Sequence, residues 1–309
     1  MDTDWPLIAV RLALYATLSG LFGLSAFSLY GLKAGERADA LALRPWLVGS
    51  GLLGLLFSGI ALALLAAAMA GAPPWPVDQE AIGMLLSGSA TGTAWEARMA
   101  ALVVASIAAL VAAGRAALLG LVTFAAAVAL ATLAWTGHGA MDEGADGWVH
   151  LGADILHLLA GGAWAGALLG LGLLVARPVG RVDAAHLTLT HRALHGFGMV
   201  GTILVGTIVV TGVVNAWLLV GLANLPALPA TRYGQILIAK LALFGVMLAL
   251  ASLNRFRLTP MFERSIAASD HRGALVALRR SLAAEATCAV TLLAVVAWLG
   301  TLEPLASAR

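Results

Sequence analysis

The chain has 309 residues, of which 61% are hydrophobic and only 11% charged, and its formal net charge is +2. A soluble domain carries about a quarter charged residues. These proportions, with a mean hydropathy of +0.94, exclude an ordinary soluble enzyme or binding module and give no argument for nucleic acid as a partner.

Apolar runs of about 20 residues, each able to cross a hydrocarbon core of about 30 Å, are predicted at about 6–30, 46–70, 94–114, 116–136, 149–176, 196–221, 233–253 and 281–300. The expected fold is all-α: a polytopic membrane bundle of eight transmembrane helices, built as one membrane domain over residues 1–309. The acidic MDTDWP start lacks a basic leader region and a cleavage site, so the first span is expected to be retained. Spans three and four are separated only by Gly114 and Arg115, which predicts a tight helical hairpin. The single cysteine, Cys288, lies inside the last span, so neither a disulfide framework nor a thiolate metal cage is expected.

Basic residues set the expected orientation. Lys33, Arg37, Arg44, Arg115, Arg177, Arg181, Arg192, Arg255, Arg257, Arg264, Arg272, Arg279 and Arg280 all fall in connections after odd-numbered spans. The opposite side has little beyond Arg98, Arg232 and Arg309. The positive-inside rule then puts both termini on the periplasmic side of a bacterial inner membrane.

With that topology, polar residues can be assigned by depth. Arg11 lies about one turn into span one, and Glu96 and Arg98 open span three. His150, Asp154 and His157 open span five, Asn215 lies in span six and Lys240 in span seven, all in the outer half. A charge at membrane depth costs about 2.5–3.5 kcal/mol and normally has a partner. Lys240 is expected to pair with Asp154, and Arg11 or Arg98 with Glu96; interfacial snorkelling is the plainer alternative for Glu96, Arg98 and Arg232.

His150, Asp154 and His157 fall within about 60° of one another around the helix, so they share one stripe. His138 and Met141 precede them. Three of the seven histidines gathered at one helix end suggest a metal site. Imidazole suits copper, zinc, iron or nickel; His and Asp suit Cu(II) or Zn(II), and the Met141 thioether would add a ligand for Cu(I). Asp154 can alternatively act as an acceptor that orients a ligating histidine.

The inner half is sparser. Glu285 is a candidate for proton coupling or cation exit. Met199, Met247 and Cys288 form an imaginable soft trio, although such residues are ordinarily packing. His186, His191, His195 and His271 are expected as loop residues. Gly161, Gly162, Gly166, Gly170 and Gly172 are spaced for close helix approach, and Trp164 is expected either to floor the His/Asp stripe or to pack.

The run GHGAMDEGADGWVHLGADILHLLAGGAWAGALLGL resembles the core of the CopD family of bacterial copper-resistance membrane proteins. The resemblance is carried by Gly137 and His138, by Asp154, His157, Leu158, Leu159 and Ala160, and by Trp164 and Gly166. TGTAWEAR adds Gly92, Trp95 and Arg98, and the later spans resemble that family as well. Two departures stand out, His195–Gly196–Phe197 before span six and Glu303 before Pro304. The resemblance implies copper homeostasis at the inner membrane, with copper passing from the periplasm towards the cytoplasm and a separate CopC-like copper chaperone as donor.

Three alternatives remain at this level. An intramembrane zinc hydrolase would use the same ligands with Glu143 or Asp142 as base, although no HExxH motif is present. A factor that delivers copper to another membrane protein would need the outer site but no path. Bis-histidine haem fits poorly, because His157 and His195 lie at different depths.

Overall fold

The computed structural model describes residues 4–137, 144–178, 182–268 and 272–308. In chain order the helices are α1 (Trp5–Gly31), α2 (Leu43–Ala70), α3 (Gln79–Gly88), α4 (Ala90–Val111) and α5 (Ala116–Ala131), which tightens into a 3-10 turn, Thr132–Thr136. Then come α6 (Gly144–Val175), α7 (Ala184–Val220), a 3-10 connection Leu222–Ala230, and α8 (Arg232–Leu253). One turn of π-helix, Asn254–Leu258, leads into α9 (Thr259–Ala267), and α10 (Arg272–Leu299) closes the bundle. The chain is a multi-pass membrane protein: among the described residues eight helical segments are long and apolar enough to span a bilayer. An even number of spans puts both chain ends at one face. The rings of Trp5 and Trp298, 6.1 Å apart, join them there.

Side-chain caps account for five of the helix starts. Asp4, Asp78, Ser89, Asp183 and Thr231 each accept a bond from a backbone N–H three residues ahead, satisfying an otherwise orphan donor. The cap at Asp183 explains the main departure from the expected spans. The sixth span begins twelve residues early, at Ala184, because the moderately polar run AAHLTLTHRALH continues the helix beyond the apolar part. At 1.5 Å per residue α7 is about 55 Å long, well beyond a hydrocarbon core of about 30 Å. Likewise α10 begins at Arg272, and the seventh span continues through the π turn to Ile266.

His186, His191 and His195 are therefore helical residues, not loop residues. His186 is buried; its Nε2 donates to Leu174 O at 2.9 Å and its Nδ1 accepts from Arg177 at 3.1 Å. Arg279 donates to Val175 O and Arg177 O. These cationic and N–H groups close the C-terminal end of α6, where unpaired carbonyls and the helix dipole favour them. His271 lies outside the described residues.

α6 sits at the centre, against α1, α5, α7 and α10. Its crossing with α1 is close because neither helix has side chains there. A Cβ built on Gly23 would lie 2.2 Å from Gly162 O, and one on Gly166 would lie 2.1 Å from Gly23 C. Gly170 makes room for Phe27 in the same way. Gly161 and Gly172 do not belong to this contact, since a Cβ at either meets nothing within 4 Å.

Candidate metal-handling site

The site is built around α6 where it faces α7, α8 and the 3-10 turn after α5. Asn215 of α7 donates through Nδ2 to Asp154 Oδ1 at 2.6 Å. The other carboxylate oxygen faces Gly137, where a Cβ would come within 3.7 Å of it. From α8, Lys240 lies close enough for its charge to act on both Asp154 and His157, and Tyr233 interacts with Asp154.

One turn further along α6, His157 Nδ1 lies 2.9 Å from Thr211 Oγ1 of α7. Thr211 spends its own proton on Thr207 O at 2.6 Å. Its hydroxyl oxygen therefore accepts from Nδ1–H, and Nε2 keeps the lone pair. That is the tautomer a metal needs, fixed by a neighbouring acceptor.

His150 does not join this pair at one ion. It is 1% exposed and seven residues from His157, about 10 Å of helix rise. Among the described residues no three His, Cys, Asp or Glu side chains are close enough to hold a metal together. A single helical stripe stacks its ligands along the axis, so further ligands must come from a facing segment. Gly137 is the described residue that stands beside Asp154; His138 and Met141, with Asp142 and Glu143, lie outside the described residues.

The two arginines have a different role from the one expected. Arg98, 2% exposed, donates to Thr132 Oγ1 at 2.9 Å and Thr132 O at 3.2 Å. Arg11 donates to Thr136 O at 3.1 Å and to Gly300 O at 2.8 Å. Both pin the 3-10 turn that delivers Gly137 to Asp154. Glu96 pairs with neither: it points outward and is exposed, because a helix start at the interface lets a carboxylate reach water. Thr132, Thr211 and Tyr233 were missed from sequence; hydroxyls on apolar helices carry no spacing signal.

The inner residues also separate. Met199 is 69% exposed on the outer surface of α7, whereas Met247 is buried in the core and Cys288 packs beside it. The imagined soft trio therefore does not assemble. Glu285 is 1% exposed; Trp164 Nε1 donates to its Oε1 at 3.2 Å and Asn254 Nδ2 to its Oε2 at 2.7 Å. Trp164 thus serves the α10 carboxylate rather than flooring the His/Asp stripe.

Comparison with known proteins decides the family. Residues 1–148 match the family model for the copper resistance protein D-like N-terminal domain, and residues 191–299 match that for copper resistance protein D. Copper resistance protein D of Pseudomonas syringae pv. tomato is 44% identical over 301 residues, covering 96% of each chain. This chain belongs to the copper resistance protein D family. Two more distant relatives are the inner membrane protein YebZ of Escherichia coli K12, 28% identical over 56% of this chain and 55% of that one, and the copper transport protein CutJ of Bacillus subtilis 168, 31% identical over 43% of this chain and 23% of that one. No solved structure matches the chain significantly.

Proposed function

We propose that this protein handles copper as cargo in the bacterial inner membrane, accepting it on the periplasmic side and passing it towards the cytoplasm, with a separate CopC-like protein as donor. Asp154 and His157 supply the first ligands, and His138, with Met141 as a softer partner, completes the set from the facing segment. The observation that carries this reading is the preset pair: Asp154 is held by Asn215 at 2.6 Å, and His157 is held by Thr211 with Nε2 left to bind. Lys240 neutralises Asp154 until a cation takes its place. Family membership supplies the metal, since two of the three relatives carry copper resistance or copper transport in their names.

Copper uptake into proteoliposomes holding the full chain, with and without a proton gradient, tests the reading. Uptake lost in His157→Ala is the expected result. A second reading, copper delivery to another membrane protein without passage, is favoured by the outward-facing Met199 and the lack of soft ligands around Glu285. Binding without uptake by the wild-type chain would select it. Nothing in the described site favours a zinc hydrolase, whose candidate bases Asp142 and Glu143 lie outside the described residues.

A further inference from the structure

α7 leans on α6 and α8 leans on α10, so these two sequence neighbours meet little directly, and α7 touches instead the π turn and α9 that follow α8. Between them lies a cavity of about 290 Å³, lined mainly by apolar side chains such as Leu171, Phe197 and Leu248. Its polar end is Glu285, Asn254 and Trp164, and Arg255 and Thr202 stand at its exposed edge. Asn254 is 7% exposed; its Nδ2 serves Glu285, while its Oδ1 has no hydrogen-bond partner among the described residues. One turn from Glu285 on α10, the buried Ser281 hydroxyl is also without a partner. Buried polar atoms are normally satisfied by protein or water, so these orphan groups point to a site that water enters.

Glu285 lies too deep to stay charged without a counter-ion. Arg255 is the one other charged residue lining the cavity, and its guanidinium is engaged by Thr202 Oγ1 and lies over the Phe256 ring. The cavity-lining residues of α6, α7 and α10 add no other titratable group. The soft side chains Met199, Met247 and Cys288 are not among the residues that line the cavity. A small, hard cation is what the oxygen set suits.

We propose that Glu285 is a proton-exchange site, reached through the α7–α8 cavity, with Asn254 turning its amide over as the proton comes and goes. When Glu285 is ionised, Asn254 Nδ2 donates to Oε2, as observed at 2.7 Å. When a hydronium ion in the cavity gives up its proton, it leaves as water and the carboxyl O–H needs an acceptor. Rotation of the amide by half a turn presents Oδ1 at the same distance, so either state keeps the contact. The site itself stands on this geometry, and its coupling to cargo rests on the copper reading above.

Infrared difference spectra of the full chain in liposomes, titrated with acid and base without copper, test the site directly. A protonated-carboxyl band should appear on acidification, shift rapidly in deuterium oxide, and vanish in Glu285→Gln. Asn254→Leu and Trp164→Phe should each keep the band but move its midpoint, which protects the test against a misfolded Glu285→Gln. A band that survives Glu285→Gln, or a Glu285 band that neither titrates nor exchanges, would overturn the proposal. In liposomes loaded with a pH dye, copper uptake should move protons in the wild type, and Glu285→Gln should abolish both fluxes while leaving copper affinity at Asp154 and His157 unchanged. A titrating Glu285 band in a protein that moves no copper would retain the proton site and sink the transport reading.

Discussion

Asn215 of α7 donates to Asp154 of α6 at 2.6 Å, a bond that joins two spans. The other carboxylate oxygen, Oδ2, lies on the Gly137 side. On the copper reading proposed above, the remaining ligands come from the residues after Gly137.

Replacing His157 or His138 by alanine should each weaken copper binding at least tenfold, about 1.4 kcal/mol. His195→Ala and His271→Ala should leave it unchanged. Isothermal titration of the purified variants decides this, and the reverse pattern would show the site to be wrongly chosen.

Thr211→Val removes the acceptor that fixes the His157 tautomer while keeping its shape. Loss of a partner that orients a ligating histidine typically costs about 10–100-fold in metal affinity. Thr211→Ser should restore most of it. Equal affinities for all three forms would mean that Thr211 merely packs.

Gly166→Ala puts a methyl group into the backbone of α1, 2.1 Å from Gly23 C. Forced overpacking costs about 1–3 kcal/mol, so the thermal midpoint in detergent should fall. Gly161→Ala on the same helix has open space and serves as the control. Parallel losses in the two variants would remove the crossing as the cause.

A cysteine at position 264 should label only from the cytoplasm, because the arginine distribution puts that connection inside. An impermeant thiol reagent applied to intact spheroplasts is the check. Ready labelling from outside would invert the molecule and the side from which copper arrives.

Glu36, in the connection after α1, forms an ion pair with Arg192 of α7. Burial pushes its carboxyl up, but the Lys33 N–H and the Arg192 and Lys33 charges outweigh this and hold it below the ordinary value. A depressed carboxyl stabilises the fold above its unfolded value, near 4.3, and the contribution is lost as pH falls through the folded value. Because the pair is partly exposed, it is worth at most about 1 kcal/mol. Corrected for the intrinsic pH dependence of amide exchange, protection in residues 33–40 should fall on acidification in the wild type and stay level in Glu36→Gln; identical profiles would dismiss the pair.

The eight spans were legible because a hydrocarbon core imposes a length and a composition that few other environments do. Their ends were not, as the sixth shows: residues 184–195 are polar enough to read as a loop yet are capped by Asp183 and run on as helix. Asp154 and His157 were legible from their spacing along α6. Asn215 stood out as a polar residue of an apolar span, but its bond to Asp154 and the role of Thr211 were not legible, because contacts across helices leave no period in the chain. Trp164 illustrates the same limit, since it shares the stripe of His157 by angle but reaches a carboxylate on α10. Arg11 and Arg98 were recognised as costly, but their acceptors are backbone carbonyls, which a list of side chains does not reveal.

Arg11 binds carbonyls at the ends of two different elements, Thr136 and Gly300, and beside it Arg232 of α8 lies over the Trp298 ring at 5.4 Å. Mechanically this is a rivet: α1, the turn after α5, α8 and the end of α10 are fastened to each other around one rim. Fastened parts move as a block. α7 is held chiefly by α6 and meets α8 itself little, so the line between α7 and α8 is the seam along which the bundle can part, and the ties from α7 to the residues after α8, Arg255 to Thr202 and His191 to Glu263, close its arginine-rich end. Both Thr211 and Lys240 lie on that seam, so any parting there would alter the grip on His157 and Asp154 at the same moment.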